Sequence, residues 1–286
     1  MEKSAHIKYY LLTILILALA NVFVWQFIFG LNPPAGGLKV VFFDIGQGDS
    51  IFIETAQKHQ ILIDGGPSNK VVEKLGKQMP FWDKTIDLVV LTHSDYDHLR
   101  GLLDVLDNYQ VENILWTGEK SEGKTFENWL LKIKQENANI ILAKAGILVL
   151  AGKAKMEILY PLELQKQDLV NNNKSSIAAK LSFGNTGFFF TGDIDRQAEQ
   201  NIILQGGDIE ANVLKVSHHG SKSATSPEFL ANVQPQIAVI SVGKDNKYGH
   251  PHQEVLSNLL EFDIKVLRTD LMGDVKIVSN GQNLIY

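Results

Sequence analysis

Residues 92–101 of the chain read THSDYDHLRG. Four potential metal ligands fall within six consecutive residues of this stretch: His93, Asp95, Asp97 and His98. The apolar run 86–91 (IDLVVL) before them predicts a buried strand, and residues 99–107 after them predict a helix. A turn at the end of a strand lies at the carboxyl edge of a sheet, where α/β proteins usually bind ligands. Because so many imidazole and carboxylate groups would repel or desolvate one another without a cation, the turn predicts a divalent metal site.

The composition is typical of a globular α/β protein. The chain has 286 residues, of which 45% are hydrophobic and 23 are glycine, enough for one large domain or two small ones with a buried core. Its formal net charge of -5 at pH 7 provides no overall basic field for nucleic acid, so any polyanion would have to bind locally. The absence of cysteine excludes disulfides, thiolate zinc sites and cysteine nucleophiles.

The amino terminus predicts a membrane anchor. Residues 9–29 (YYLLTILILALANVFVWQFIF) contain no charged residue and are long enough to cross a bilayer core of about 30 Å. Lys3 and Lys8 before this stretch predict a single-pass protein of the cell membrane, with a cytoplasmic amino terminus and the remainder outside. A cleavable signal peptide ending near residues 18–20 (ALA) is the alternative. The predicted segments are an anchor over residues 1–30, a linker over residues 31–37 and a globular domain over residues 38–286.

Three further clusters of acidic residues or histidines follow apolar runs that predict strands. The apolar runs are 187–190 (GFFF), 213–216 (VLKV) and 237–242 (IAVISV). The residues that follow them are Asp193 after the first, His218 and His219 after the second, and His250 and His252 after the third. A lone histidine is usually structural, but three histidine clusters that each follow a strand favour one shared metal site: His93 with His98, His218 with His219, and His250 with His252. Early strands followed by strand–loop–helix units favour a mixed two-sheet core with helices outside.

The motifs and their order resemble those of the metallo-β-lactamase superfamily, which has a His-x-(His/Asp)-x-Asp-His motif, a later Gly-Asp and late histidines. More narrowly, they are similar to the C-terminal metallo-β-lactamase-like domain of DNA-internalisation (competence) proteins of the ComEC type. The matching segments are 44–50 (DIGQGDS), 92–101, 171–176 (NNNKSS), 191–193 (TGD), 218–222 (HHGSK) and 249–252 (GHPH). The resemblance spans residues 38–278 and implies an α/β fold, a four-layer αββα sandwich, for a hydrolase domain over residues 38–286.

The resemblance also implies a site with two metal ions along one edge of the sandwich. The metal ligands that it implies are His93 and Asp95 for one ion, Asp97 and His98 for the other, Asp193 as the bridge, and His250 to complete the second ion. The residues with an implied catalytic role are Asp97, as a base toward water, and His218 or His219, as ligand, phosphate contact or proton donor. The residues that would face the substrate or orient the ligands are Asp64, Asn173, Ser176, Ser221 and Lys222. Which of the two adjacent histidines has which role stays open at this point.

Two departures from the wider superfamily bear on the identity of the metal. Asp95 stands where the superfamily usually has a histidine, and residues 171–176 stand in place of its middle-region histidine ligand. Both departures are similar to the competence-type subgroup. The resulting ligand set is rich in oxygen, which favours manganese or magnesium over zinc. We expect two divalent metal ions, zinc or manganese, and this ligand set favours manganese of the two.

The function expected from these residues is metal-assisted hydrolysis. The resemblance supplies the substrate class, so we expect a membrane-anchored phosphodiesterase, specifically a nuclease acting on DNA in a competence-like (DNA uptake) context. The alternatives are a hydrolase of a small lactone, ester or nucleotide, and a non-catalytic metal-binding module that holds nucleic acid. One predicted membrane span cannot form a DNA channel, so we expect the chain either to work with a separate DNA-channel subunit or to scavenge DNA independently.

Overall fold

The computed structural model describes residues 2–30, 37–162 and 175–286, and within residues 2–30 it describes the side chains of residue 6 and residues 9–24 only. The chain divides into two compact units, Met1–Ala35 and Gly36–Tyr286. The first unit contains helix α1 (Glu2–Gly30). The predicted linker over residues 31–37 lies outside the described residues except for residue 37.

The prediction of a membrane anchor over residues 1–30 needs a correction. A helix needs about 20 consecutive, mostly apolar residues to cross the hydrocarbon core of a bilayer. Over the described parts of the chain, no helix meets this requirement of length and apolar character. The prediction of a single-pass protein of the cell membrane, with an extracytoplasmic catalytic domain, is therefore wrong.

The second unit alternates strands and helices. Its strands are β1 (Leu38–Phe42), β2 (Ile51–Glu54), β3 (Gln60–Ile63), β4 (Thr85–Val90), β5 (Gln110–Trp116), β6 (Asn139–Leu142), β7 (Leu148–Ala151), β8 (Ala154–Tyr160), β9 (Ala178–Phe183), β10 (Thr186–Phe190), β11 (Val213–Lys215), β12 (Ile237–Ile240), β13 (Lys265–Arg268), β14 (Val275–Ser279) and β15 (Leu284–Ile285). Its helices are α2 (Lys70–Gln78), α3 (Tyr96–Asn108), α4 (Lys124–Gln135), α5 (Arg196–Leu204), α6 (Pro227–Val233), α7 (Gln253–Glu261) and α8 (Thr269–Met272), with a 3-10 turn over Ser217–Gly220.

The strands form two mixed sheets. Within the described residues, one sheet has eight strands in the order β15-β14-β1-β2-β3-β4-β5-β6, and the other has seven in the order β13-β12-β11-β10-β9-β8-β7. In the first sheet the strands β3 to β6 are parallel, with Val90 in register with both Ile63 and Leu115. In the second sheet β10 to β13 are parallel, with Phe190 in register with Lys215. The carboxyl ends of neighbouring parallel strands therefore meet at one edge of each sheet.

The buried side chains form three hydrophobic clusters that define four layers. The first cluster contains side chains of both sheets, such as Val90 and Phe190, and so lies between the sheets. The second joins the eight-stranded sheet to helices α2, α3 and α4, where Trp129 is fully buried. The third joins the seven-stranded sheet to α5, α6 and α7. Because alternate residues of a strand face opposite sides, each sheet contributes to two clusters. The prediction of an αββα sandwich with two sheets and outer helices is confirmed.

Helix α3 begins at Tyr96, earlier than the stretch 99–107 in which the sequence pattern predicts it. Asp95 directly before it has extended backbone (φ -63, ψ 147), and Asp97 lies in the first helical turn, where the helix dipole favours a negative charge. The early start places Asp97 and His98 in the same turn. Their side chains therefore leave the helix beside the carboxyl end of β4.

Candidate metal centre

His93 and His98 lie side by side between β4 and the first turn of α3. Their side chains are 1% and 0% exposed, and their ring centroids are 4.1 Å apart. The backbone of Gly48 approaches the same turn, and a Cβ at that position would lie only 2.1 Å from the carbonyl oxygen of Asp97. The adjacent N–H of Asp49 donates to that oxygen over 3.3 Å. The absence of a side chain at residue 48 therefore permits this close packing.

Asp193 and His219 reach the same point from the seven-stranded sheet. Oδ2 of Asp193 lies 3.4 Å from Nε2 of His98, 3.6 Å from Nε2 of His219 and 3.9 Å from Nε2 of His93. Nε2 of His219 also lies 3.3 Å from Oδ2 of Asp97. The two sheets thus bring nitrogen and oxygen atoms from separate parts of the chain to one small volume.

The chemistry of these atoms fits a divalent metal ion. Four of them are buried and have no hydrogen-bond partner among the described residues: Nε2 of His93, Nε2 of His98, Nε2 of His219 and Oδ1 of Asp193. Buried polar atoms in proteins nearly always have a partner, and a neutral imidazole nitrogen is a common metal ligand. Four overlapping groups among the described residues have ligand atoms within 4.8 Å of one another: His93 with His98 and Asp193, Asp97 with His98 and His219, Asp49 with Asp64 and His98, and Asp49 with Asp193 and His219. A cation would satisfy all of these atoms.

Two of the predicted orienting residues lie directly behind the candidate ligands. The carboxylate of Asp64 accepts hydrogen bonds from the backbone N–H of Thr92 (2.8 Å) and from its hydroxyl (2.6 Å). Its Oδ2 also lies 2.8 Å from Nδ1 of His98, so it holds that ring with Nε2 toward the centre. Ser176 Oγ accepts the backbone N–H of Asp193 over 2.9 Å.

The structure separates the positions of His218 and His219. Both have left-handed backbone, with φ of 48 and 54 degrees, a conformation that costs roughly 1–2 kcal/mol per non-glycine residue. His219 is 1% exposed, and its Nδ1 donates to the carbonyl oxygen of Ser241 over 2.9 Å, which leaves Nε2 free to act as a ligand. The side chain of His218 is 29% exposed, and its Nε2 lies 3.8 Å from Oδ2 of Asp193. His219 thus lies inside the centre and His218 at its open side.

A buried ion pair, absent from the residues predicted from sequence, borders the centre. The ammonium of Lys215 pairs with Asp49, and the side chains are 0% and 2% exposed. The same ammonium lies 3.7 Å from Oδ1 of Asp193 and donates to the carbonyl oxygen of Gly192 over 3.0 Å. The available signal was a lysine inside the apolar run VLKV, because a lysine on a buried strand needs a negative partner.

The charges of the centre shift the pKa values of its members strongly. Burial raises the pKa of Asp193, but the charges of His98 and His219 outweigh burial and hold it well below the ordinary value. Burial lowers the pKa of His98, but Asp193 and Asp64 raise it well above the ordinary value. Burial likewise lowers the pKa of His219, but Asp193 and Asp49 raise it to about 9. The centre therefore binds protons at the nitrogens that a metal would occupy, and metal binding must displace them.

Two of the predicted metal ligands lie at the rim of the centre. Oδ2 of Asp95 is 3.6 Å from Nε2 of His93, but the side chain is 39% exposed. The ring centroid of His250 lies 5.7 Å from that of His218 and 6.4 Å from that of His219. Neither Asp95 nor His250 belongs to the groups of close ligand atoms found in the described parts of the chain. The structure therefore brings both residues near the centre without placing them among its innermost atoms.

Ser221 and Lys222 directly follow the turn that carries His218 and His219. The hydroxyl of Ser221 bonds to that of Ser223 over 3.0 Å. Lys222 is exposed, and its backbone N–H donates to Nδ1 of His252 over 3.3 Å. Asn173 lies outside the described residues.

A buried glutamate, Glu119, connects two segments of the centre and is also absent from the predicted set. Its side chain is 1% exposed and accepts hydrogen bonds from the N–H of Ser94 and the hydroxyl of Ser175. Burial raises the pKa of its carboxyl group. Ser94 belongs to the ligand-rich turn, and Ser175 precedes the residue that holds Asp193, so the carboxylate ties both segments together. An acidic residue shortly after β5 was the sequence signal.

Comparisons with known proteins agree with the fold. A model of the metallo-beta-lactamase superfamily matches residues 43–244. The chain is 35% identical over 256 residues to ComE operon protein 3 of Bacillus subtilis (strain 168), a match that covers 83% of this chain and 32% of that protein. It is 27% identical over 246 residues to competence protein ComA of Neisseria gonorrhoeae, covering 84% of this chain and 32% of that protein. The chain thus spans about a third of the length of these curated relatives.

A solved structure supports the architecture independently. The metallo-beta-lactamase fold protein YhfI from Bacillus subtilis superposes with a TM-score of 0.59 and 13% sequence identity, covering 85% of this chain and 100% of that one. At this identity the similarity concerns the fold alone. The candidate centre lies at the carboxyl ends of the parallel strands of that fold, where α/β proteins usually bind ligands.

Proposed function

The chain belongs to the metallo-β-lactamase superfamily, and from this premise we propose that it is a metal-dependent phosphodiesterase that cuts DNA. The observation that carries metal-dependent hydrolysis is the convergence of three buried Nε2 atoms, which lack partners among the described residues, on the carboxylate of Asp193. The similarity to competence proteins, together with the resemblance to DNA-internalisation domains, supports DNA as the substrate.

Two divalent ions, manganese or zinc, are part of this proposal. The candidate ligands are the imidazoles of His93, His98 and His219 and the carboxylates of Asp97 and Asp193, with Asp95 and His250 at the rim. Because Asp64 holds Nδ1 of His98, the remaining Nε2 of that ring can bind only one of the two ions. Imidazole ligands suit zinc and carboxylate ligands suit manganese, and because the set contains both, the proposal includes either metal. When bound, such an ion lowers the pKa of a water molecule and offsets the negative charge that develops on a phosphoryl oxygen.

Two residues on the open side of the centre orient the reactants: Asp97 orients the water molecule and His218 orients the phosphate. Burial raises the pKa of Asp97, but the nearby His219 and the charge of His98 lower it below the ordinary value, so its carboxylate is ionised at neutral pH. An ionised carboxylate accepts a hydrogen bond from an attacking water molecule and fixes its direction. Burial lowers the pKa of His218, so this imidazole is neutral and donates a hydrogen bond through its N–H. We assign that donor to a non-bridging phosphate oxygen of the substrate.

The net charge restricts how DNA can bind. A chain with a formal net charge of -5 attracts DNA weakly over long distances, so recognition would depend on groups near the centre. If DNA binds only through groups near the centre, a partner protein that brings the DNA strand to the centre would assist the reaction. A DNA-channel subunit, expected from the same resemblance, is the partner that we propose.

The test uses the full-length chain, stripped of metal with a chelator and then supplied with manganese or zinc. Cleavage of single- and double-stranded DNA is measured beside Asp97→Ala and the matched control Asp107→Ala. Asp107 also lies on α3, but its side chain is 58% exposed and pairs with Lys132. We expect metal-dependent cleavage by the wild type, its loss in Asp97→Ala and its retention in Asp107→Ala.

The metal content of each variant, measured by mass spectrometry, separates the possible results. Cleavage that persists in Asp97→Ala would contradict the role assigned to this carboxylate. A metal-loaded wild type that hydrolyses a lactone, an ester or a nucleotide but leaves DNA intact would replace DNA by a small substrate. A metal-loaded chain that hydrolyses none of these would be an accessory metal-binding module.

A further inference from the structure

A series of aromatic rings leads from the candidate metal centre to the protein surface. The ring centroids of His98 and His219 are 5.4 Å apart, and those of His219 and His250 are 6.4 Å apart. The ring of Tyr248 stacks on His250 with a centroid distance of 5.7 Å and an interplanar angle of 25°. Tyr248 is 61% exposed. The series therefore ends in an accessible aromatic face close to the ligand atoms.

The loop that carries Tyr248 is held by the side chain of Asn246. Its Nδ2 donates to the carbonyl oxygens of Gly243 (3.1 Å) and His250 (2.7 Å). Its Oδ1 accepts the backbone N–H groups of Tyr248 (3.2 Å) and His250 (3.0 Å). One amide thus uses both of its donors and both acceptor sites within a single loop. The loop fixes the backbone of Tyr248 before a ligand binds.

The base of this loop packs against the turn that carries Asp49. The N–H of Gly243 donates to Oε1 of Gln47 over 3.2 Å. A Cβ at residue 243 would lie 2.5 Å from the backbone nitrogen of Gln47, so the two segments touch backbone to backbone. Asp49, two residues after Gln47, pairs with Lys215 beside the centre. The exposed ring is therefore attached to the same framework as the metal ligands.

The charges on the loop suit a phosphate backbone. Lys244 and Lys247 lie four residues and one residue before Tyr248 along the chain, and both are exposed. Asp245 is also exposed, so residues 244–248 have two positive charges and one negative charge. Lysines beside an exposed aromatic ring form the combination that single-strand binding proteins use, with stacking on bases and ionic contact with phosphates.

We propose that Tyr248 stacks on an unpaired base of the substrate and directs the metal centre to single-stranded DNA. The inference rests on the proposed function and specifies the form of its substrate. In a duplex both faces of each base are covered by neighbouring bases, so a protein ring can stack only where a base is unstacked. A single strand offers such a face at each nucleotide, while Lys244 and Lys247 contact the adjacent phosphates.

The test measures binding in the absence of cleavage. Fluorescence anisotropy reports the affinity of the full-length chain for a labelled oligothymidylate of about twelve nucleotides, with EDTA present. The same assay uses an abasic strand of equal length and a duplex. The variants are Tyr248→Ala, Tyr248→Phe and the control Trp82→Ala, whose ring is 61% exposed but precedes the amino end of β4, the end opposite to the centre. Stacking of one base predicts about 5-fold to 100-fold tighter binding of the oligothymidylate than of the abasic strand.

We expect Tyr248→Ala to abolish this preference, and Tyr248→Phe and Trp82→Ala to retain it. The proposal is overturned if Tyr248→Ala binds the oligothymidylate as tightly as the wild type, or if the wild type binds the abasic strand or the duplex equally well. Cleavage measured with metal separates the proposed nuclease activity from the proposed base stacking on Tyr248. Absence of cleavage with intact base stacking contradicts the proposed function alone, whereas cleavage without a stacking preference contradicts this inference alone.

Discussion

Replacing Lys215 by methionine tests the electrostatic account of the metal centre. Methionine retains an unbranched side chain of similar length but removes the ammonium that pairs with Asp49, whose side chain is 2% exposed. Burial lowers the pKa of Lys215, but Asp49 and Asp193 raise it above the ordinary value, so this lysine is charged throughout the physiological range. The substitution leaves a buried carboxylate without its principal counter-charge, which typically costs about 3–5 kcal/mol.

The expected loss of stability is large enough to measure directly. For a domain of this size, 1 kcal/mol corresponds to a change in Tm of about 2–4 °C, so the metal-free variant should melt about 6–20 °C below the wild type. Nδ1 of His219 lies 3.4 Å from Oδ1 of Asp49 and provides partial compensation. We therefore expect a shift in the lower part of this range, measured by circular dichroism in EDTA.

The response to metal should be greater in Lys215→Met than in the wild type. Asp49, Asp193 and His219 have ligand atoms within 4.8 Å of one another, so a divalent ion in the centre would offset the charge freed on Asp49. Saturating manganese should therefore raise the Tm of the variant by more than it raises that of the wild type. Binding of metal to the folded state alone is the source of this stabilisation.

A second buried lysine provides the matched control. The ammonium of Lys39 lies 3.5 Å from Glu54, the side chains are 2% and 3% exposed, and its other contacts include the carbonyl oxygen of Gln78 and the ring of Phe52. Lys39→Met should also lower the metal-free Tm but should respond to manganese as the wild type does. An unchanged metal-free Tm in Lys215→Met, or a manganese response no greater than that of Lys39→Met, would refute the reasoning.

Three further predictions concern the ligands and their support. Asp64→Asn should weaken metal binding about 10-fold to 100-fold in competition with a chromophoric chelator, because the amide removes one acceptor oxygen behind His98; unchanged affinity would contradict that supporting role. Metal affinity should rise with pH up to about 9, because binding displaces a proton from His219, whose pKa is raised to about 9. The stability of the metal-free protein should change with pH in the opposite direction. Because the pKa of His219 is raised on folding, its protonation stabilises the fold fully below about pH 6.5, and this stabilisation is lost as pH rises through about 9. The Tm of the metal-free protein should therefore fall across that window. Gly48→Ala should lower both Tm and metal affinity, because its Cβ would meet the carbonyl oxygen of Asp97 at 2.1 Å, whereas Gly46→Ala, also at positive φ but with no atom within 4 Å, should lose less. Equal losses in the two variants would argue against the steric explanation.

Much of the fold was accessible from local patterns. The apolar run before the ligand-rich turn predicts a strand at residues 86–91, and β4 occupies Thr85–Val90. Hydrophobic periodicity is local, because it reports which faces of a short segment avoid water. The same kind of reasoning failed at residues 9–29, where a long apolar run predicted a membrane span that the described residues do not provide.

Neighbouring residues in the chain are sufficient to indicate a two-sheet core with helices outside, the turn of residues 92–101 and the chemistry of its ligands, whereas the four-layer sandwich was implied by the family resemblance. Only the packed fold shows that His219 lies inside the centre and His218 at its edge. The two residues have successive left-handed backbone conformations, which point their rings in different directions. The packed fold alone also joins Lys215, on β11 of the seven-stranded sheet, to Asp49, in the loop between β1 and β2 of the eight-stranded sheet. The physical reason is that the pairing of charges and the burial of ligand atoms depend on distances across the interface between sheets, and those distances arise only when the sheets pack together.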